Sequence, residues 1–155
     1  MDPGTLTDLQ DKAKSAGLWG ITTPEEYGGI ELGPVMHAVI EMELGRTFVP
    51  FSFGGGADNV LFHASDEQKE EYLYPVIAGK KKACFAITEP DAGSDATNLR
   101  TYARQDGEDW VINGEKTFIS GGSGADFCIL FAMTEAGVTT FLVDRDMGWN
   151  LRRSR

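Results

Sequence analysis

The apolar pattern of this chain changes once, near Gly79, and the change limits which folds are open to it. Before that point the spacing is helical. In "TLTDLQDKAKSAG", Leu6, Leu9, Ala13 and Ala16 share one face, Thr7 and Gln10 match a capping box, and Gly17 suits the stop. "PVMHAVIEMELG" places Pro34 at a first helical position, carries Val35, Val39, Met42 and Leu44, and closes on Gly45. "ADNVLFHA" reads as a third helix. Ser65-x-x-Gln68 caps a fourth, "SDEQKEEYLYPVIAG", in which Pro75 predicts a kink or break.

After Gly79 come short runs rich in aromatic and β-branched residues: "ACFAIT", "RTYARQ", "DWVIN", "EKTFIS", "DFCILFAMT" and "TTFLVD". Asn113-Gly114 is the strongest hairpin signal and predicts that "EKTFIS" returns as a strand, while Asp106-Gly107 predicts another tight turn. Helices segregated from strands argue against a doubly wound sheet. The reading is α+β: a helical domain over residues 1–80, then an antiparallel, barrel-like β domain over 81–155. A small barrel or sandwich closes with roughly six to eight strands. "GWNLRRSR" offers no closing strand, so the β domain is expected to be incomplete and the chain a fragment of a longer one.

The chain has 155 residues and a net charge of −10, which argues against a surface that tracks nucleic-acid phosphates. Cys84 and Cys128 match no metal or redox spacing and suit a reduced, cytoplasmic compartment. No stretch approaches a membrane span. His37 and His63 lack partners at metal-ligand spacing, so no metal site is expected.

The most tightly written stretch is "CFAITEPDAGSD", residues 84–95. Pro90 fixes its own φ and pushes Glu89 towards an extended conformation, so the run exits in a defined direction. Gly93 leaves room for close approach, Thr88 and Ser94 supply hydroxyls, and amides 92–95 can form a nest for an oxyanion or a polar heterocycle. A turn whose side chains satisfy its own backbone fits the same spacing, and Asp91 and Asp95 would repel a phosphate. On spacing alone the plain turn is favoured. In "WVINGEKTFISGGSGAD", Phe118 and Ser120 would share one strand face and meet one flat ligand, or simply be a core aromatic and the start of a glycine turn.

Together, "AITEPDAGSD" and "WVINGEKTFISGGSGAD" resemble the middle domain of the acyl-CoA dehydrogenase family. Upstream, "GLWGITTPEEYGG", "EMELGRT" and "SDEQKEEYLYPVIAGKKKACFAITEP" resemble its N-terminal helical domain and the junction between the two. The resemblance implies a helical domain, a β domain and a C-terminal four-helix domain, the last absent from this chain. It also implies FAD as cofactor and oxidation of an acyl-CoA thioester to the 2-enoyl-CoA, by α-proton abstraction and β-hydride transfer. The expected partners are an electron-transfer flavoprotein or similar acceptor and further copies in a homo-oligomer.

Carried over position by position, Phe85, Ala86, Ile87 and Thr88 would line the flavin ring. Ser94 would stand by the FAD pyrophosphate and the acyl-CoA. Phe118, Ile119 and Ser120 would form a second flavin strip, where many relatives carry Trp-Ile-Thr. Asp91 stands where several relatives have glycine. The resemblance places the catalytic base in the missing domain. Glu41 and Glu43 fall on a predicted helix surface, and Glu89 has no motif-based claim, so no base is assigned and the chain alone is expected to be inactive. A flavin oxidase or monooxygenase of the same fold, and a module that has lost FAD binding, are the competing readings.

Overall fold

The computed structural model describes residues 3–48 and 51–152. The chain divides into two compact units, Met1–Lys80 and Lys81–Arg155.

The first unit is helical. Helix α1 (Pro3–Ser15) begins at its proline, not at the capping box anticipated at Thr7, because Pro at the first position is already set for helical φ. Gly17, at φ +71°, ends it. Helix α2 (Pro34–Leu44) starts on Pro34 as the sequence indicates and buries none of its residues. "ADNVLFHA" forms only a 3₁₀ segment, Asn59–His63, in place of an α-helix.

The capped helix is present, with Ser65 and Gln68 bonded reciprocally. It runs through Asp66–Gln68, a π-helical stretch Lys69–Leu73 and Tyr74–Ile77. Pro75 therefore widens the helix and does not break it. The proline ring would collide with the carbonyl four residues back, and the π-helical stretch lies at that point.

Trp19 organises the irregular segment between α1 and α2. Its indole Nε1 donates to the Ile77 carbonyl at 2.8 Å, and Lys14 Nζ lies 3.9 Å above the ring. Gly54 and Gly55, both with positive φ, pass so close that a Cβ at Gly54 would sit 2.3 Å from the indole.

The second unit is a five-stranded sheet: β1 (Ala83–Ala86), β2 (Tyr102–Asp106), β3 (Asp109–Asn113), β4 (Phe127–Thr134) and β5 (Gly137–Asp144). β4 is central. β5 pairs antiparallel along its whole length, from Phe127↔Asp144 to Thr134↔Gly137. β1 pairs parallel with its first half and β2 parallel near its end, at Tyr102↔Met133. Because β5 fills one edge of β4, β1 and β2 follow one another along the other edge. The sheet is thus mixed and open, not purely antiparallel.

"EKTFIS" is not a strand. The hairpin turns one step earlier, at Gly107-Glu108, with Gly107 at φ +68° and Asp106↔Asp109 as the last pair. After Asn113 the chain leaves the sheet, and Thr117 donates its amide to the Thr88 carbonyl at 2.9 Å. Fully or nearly fully buried residues on β4 (Phe127, Ile129 and Ala132) form much of the unit's interior. On one face Cys84, Ala86, Ala125 and Cys128 cluster, with Ile119, Leu130, Val143 and Trp149 packed against them.

Candidate functional site

Because β1 and β2 lie in line on one edge of β4, residues 87–101 are an excursion that leaves that edge and returns to it. "TEPDAGSD" is the outgoing limb. The excursion needs its two ends tied together, since a bare loop of this length would pay ordering entropy without compensation. Glu89 supplies the tie.

Its carboxylate accepts the Arg100 amide at 2.6 Å and the Thr101 amide at 3.0 Å, closing the neck. Lys116 Nζ reaches the same carboxylate at 2.7 Å and donates to the Ile87 carbonyl at 3.1 Å. Both partners are shielded: the side chains of Lys116 and Glu89 are 8% and 3% exposed. Burial by itself would raise the Glu89 pKa, but the Lys116 ammonium and the donors from Thr101 and Arg100 outweigh it and hold the carboxyl at about 2. A carboxylate this firmly ionised and this fully engaged cannot accept a substrate proton. Glu89 is therefore a structural anion and not a general base. Glu41 and Glu43 are exposed on α2, within the other unit.

The ion pair also ties together the two segments singled out in the sequence. Lys116 comes from the stretch after β3, and its contacts with Ile87 and Glu89, with the Thr117–Thr88 bond, bring Phe118 next to the end of β1. Phe85 on β1 is 38% exposed and packs on Phe131, with ring centroids 4.9 Å apart. Ala86 is buried, while Ile87 and Thr88 are half-buried. Ser94 is exposed at the far end of the loop. Phe118 is 85% exposed and holds φ at +57°, a conformation that costs a bulky residue on the order of 1–2 kcal/mol. It does not share a strand face with Ser120, because no strand forms there. Ile119 instead packs into the core, leaving Phe118 and Ser120 on the surface either side of it.

These residues suit a flat ligand that carries hydrogen-bonding groups. Among the described residues, the hydroxyls of Thr88, Ser94 and Ser120 make no hydrogen bond to protein, and the Phe118 ring is open. A Cβ on Gly93 would meet nothing within 4 Å, so the protein's own packing does not require that glycine. Of the two acids that would repel a phosphate, Asp91 has a cationic partner and Asp95 keeps its full charge. Asp91 pairs with Arg100 at 2.7 Å, an exposed contact of small energetic weight, and Asp95 accepts the Thr97 hydroxyl at 3.3 Å. The set is compatible with FAD.

Three structural features were not assigned a role from the sequence: the anchoring of the loop by Glu89, its clamping by Lys116, and Arg145, whose guanidinium holds the Gly122 and Ala125 carbonyls. No local signal marked them, since Glu89 stands between Thr88 and Pro90, Lys116 between Glu115 and Thr117, and Arg145 between Asp144 and Asp146. Cys84 and Cys128, far apart in sequence, are register partners across β1 and β4. Burial and then the neighbouring Cys84 push the Cys128 thiol up to about 12. Among the described residues no group of three or more His, Cys, Asp or Glu side chains could hold a metal.

Comparison with known proteins gives the class. The model of the acyl-CoA dehydrogenase N-terminal domain matches residues 3–80, and that of the acyl-CoA dehydrogenase middle domain matches residues 84–155. The chain belongs to the acyl-CoA dehydrogenase family. It is 38% identical over 148 residues to the 3-(aryl)acrylate reductase of Clostridium sporogenes, covering 88% of this chain and 39% of that protein. It is 35% identical over 150 residues to CarC of Acetobacterium woodii, a caffeyl-CoA reductase-Etf complex subunit, covering 88% of this chain and 39% of that one. A glutaryl-CoA dehydrogenase from Mycobacterium smegmatis in complex with FADH2 superposes with a TM-score of 0.71 at 35% identity, over 90% of this chain and 37% of the other. The chain thus spans about two fifths of the length of these relatives.

Proposed function

We propose that this chain carries the flavin-facing part of an FAD-dependent acyl-CoA dehydrogenase-type enzyme, which oxidises an acyl-CoA thioester to its 2-enoyl product. The observation that carries the reading is the pairing of Phe118, open and backbone-strained, with unengaged hydroxyls at Thr88, Ser94 and Ser120, all on segments held by one buried ion pair. When bound, FAD would supply the hydride acceptor. The chain's own residues bind and orient. Phe85 to Thr88 would meet one side of the ring system, and Phe118 to Ser120 the other contact strip. Ser94 would hold the pyrophosphate or the acyl-CoA. Glu89 is not suited to remove the α-proton, since a carboxyl held at about 2 is too weak a base. That role, an electron-transfer flavoprotein acceptor, assembly into a homo-oligomer and a cytoplasmic location all belong to the proposal for the whole protein.

The test is direct. The purified chain is mixed with FAD, desalted and scanned between about 350 and 500 nm, where a retained flavin absorbs. Ser94→Trp should weaken retention of FAD or acyl-CoA roughly tenfold or more, and His63→Ala should leave it unchanged. Equal effects of the two substitutions would reject the site assignment.

A further inference from the structure

Behind the Phe118-Ile119-Ser120 strip, exposed at Phe118 and Ser120, the chain makes two consecutive tight turns. The Gly122 amide donates to Ile119 O at 3.3 Å, and the Gly124 amide to Gly121 O at 2.9 Å. Glycine-rich turns of this kind have little intrinsic order. This one is nonetheless fastened from outside. Arg145 Nε donates to Ala125 O at 2.7 Å and Arg145 Nη2 to Gly122 O at 2.6 Å. The guanidinium stacks on Trp149, 4.3 Å from the ring centroid, and Trp149 donates its indole to Asp144 O at 3.1 Å. The Arg145 amide bonds Asp126 O at 3.0 Å, so its own backbone is fixed to the start of β4. Two donors of one planar fork thus span the turn, a geometry that a lysine ammonium does not reproduce.

We propose that Arg145 is the positioning residue of the Phe118–Ser120 strip. By holding the carbonyls of Gly122 and Ala125 while Ile119 is anchored in the core, it fixes where Phe118 and Ser120 stand on the surface. The contribution of that strip to flavin binding rests on the reading given above. The positioning itself does not.

The test is hydrogen–deuterium exchange on the intact chain, with FAD titration run in parallel. In Arg145→Met the amides of residues 118–124 should exchange roughly tenfold faster, as expected for the loss of charge-assisted hydrogen bonds, while those of β4 stay within about twofold of wild type. Arg145→Lys, which keeps the charge, should fall between, and it carries the test if Arg145→Met fails to fold. Arg104→Met, an exposed change on β2, is the control and should alter neither readout. FAD affinity should fall in step with the exchange rate of 118–124. Unchanged exchange there in both Arg145 variants overturns the positioning role whether or not flavin binds. A wild-type chain that retains no FAD while the variants loosen the turn would count against the flavin reading alone.

Discussion

Glu89→Gln removes one charge from the neck of the loop and almost nothing of its shape. The carboxylate uses both oxygens: Oε2 takes the Arg100 amide, and Oε1 takes the Thr101 amide and Lys116. A glutamine offers one acceptor and one NH₂, so in either orientation its NH₂ faces a donor at hydrogen-bond distance. The magnitude follows from the pKa. Folding lowers it from 4.5 to about 2, which at about 1.4 kcal/mol per pH unit contributes roughly 3 kcal/mol. Removing one partner of a buried pair independently costs about 3–5 kcal/mol, and Lys116→Met should cost as much. The pH dependence has a fixed sign. A depressed folded pKa gives stability that is fully present above pH 4.5 and lost as pH falls towards about 2. Urea unfolding followed by far-ultraviolet circular dichroism should therefore show wild type ahead of Glu89→Gln by roughly 3 kcal/mol at neutral pH, with the lead shrinking below pH 4.5. A lead under about 1 kcal/mol, or one that stays constant between about pH 6 and pH 3, would refute the buried-anchor account.

Other sites give independent tests. Gly55→Ala would push a Cβ to 2.5 Å from the Gly20 amide and 2.6 Å from the Trp19 ring at a φ of +78°. It should destabilise the helical unit by about 3 kcal/mol or more and change Trp19 fluorescence, whereas Gly93→Ala should stay within about 0.5 kcal/mol of wild type. A Cys128 pKa of about 12 leaves only about one thiol in ten thousand ionised at pH 8. Iodoacetamide should then label neither cysteine in the native chain and both in urea, and native labelling at the rate of a free thiol would contradict their burial.

Much of the helical unit was legible because its signals are local. Pro34 at the start of α2, Gly45 at its end and the Ser65–Gln68 box act on neighbours within one turn. Where the reading missed, a competing local rule or a distant contact had won. Thr7 lost to Pro3 as the start of α1, and "ADNVLFHA" was too short to sustain more than a 3₁₀ segment. Asn113-Gly114 carried the stronger hairpin signal, yet the hairpin formed at Gly107-Glu108, where Asp106-Gly107 had signalled the other tight turn. The next residues leave the sheet, and Lys116 among them pairs with the buried Glu89.

The sequence by itself determined the order of the two units, the helices with strong caps and the two segments that bear the candidate flavin contacts. These depend on residue type and spacing along one stretch of chain. Only the tertiary structure decided that β1 and β2 share an edge of β4, that the loop is an excursion between them, and that Glu89 and Lys116 close it. Those facts come from pairings between residues remote in sequence. No local turn preference displays a contact between residues as far apart as 89 and 116, and a buried carboxylate left without its partner would be costly.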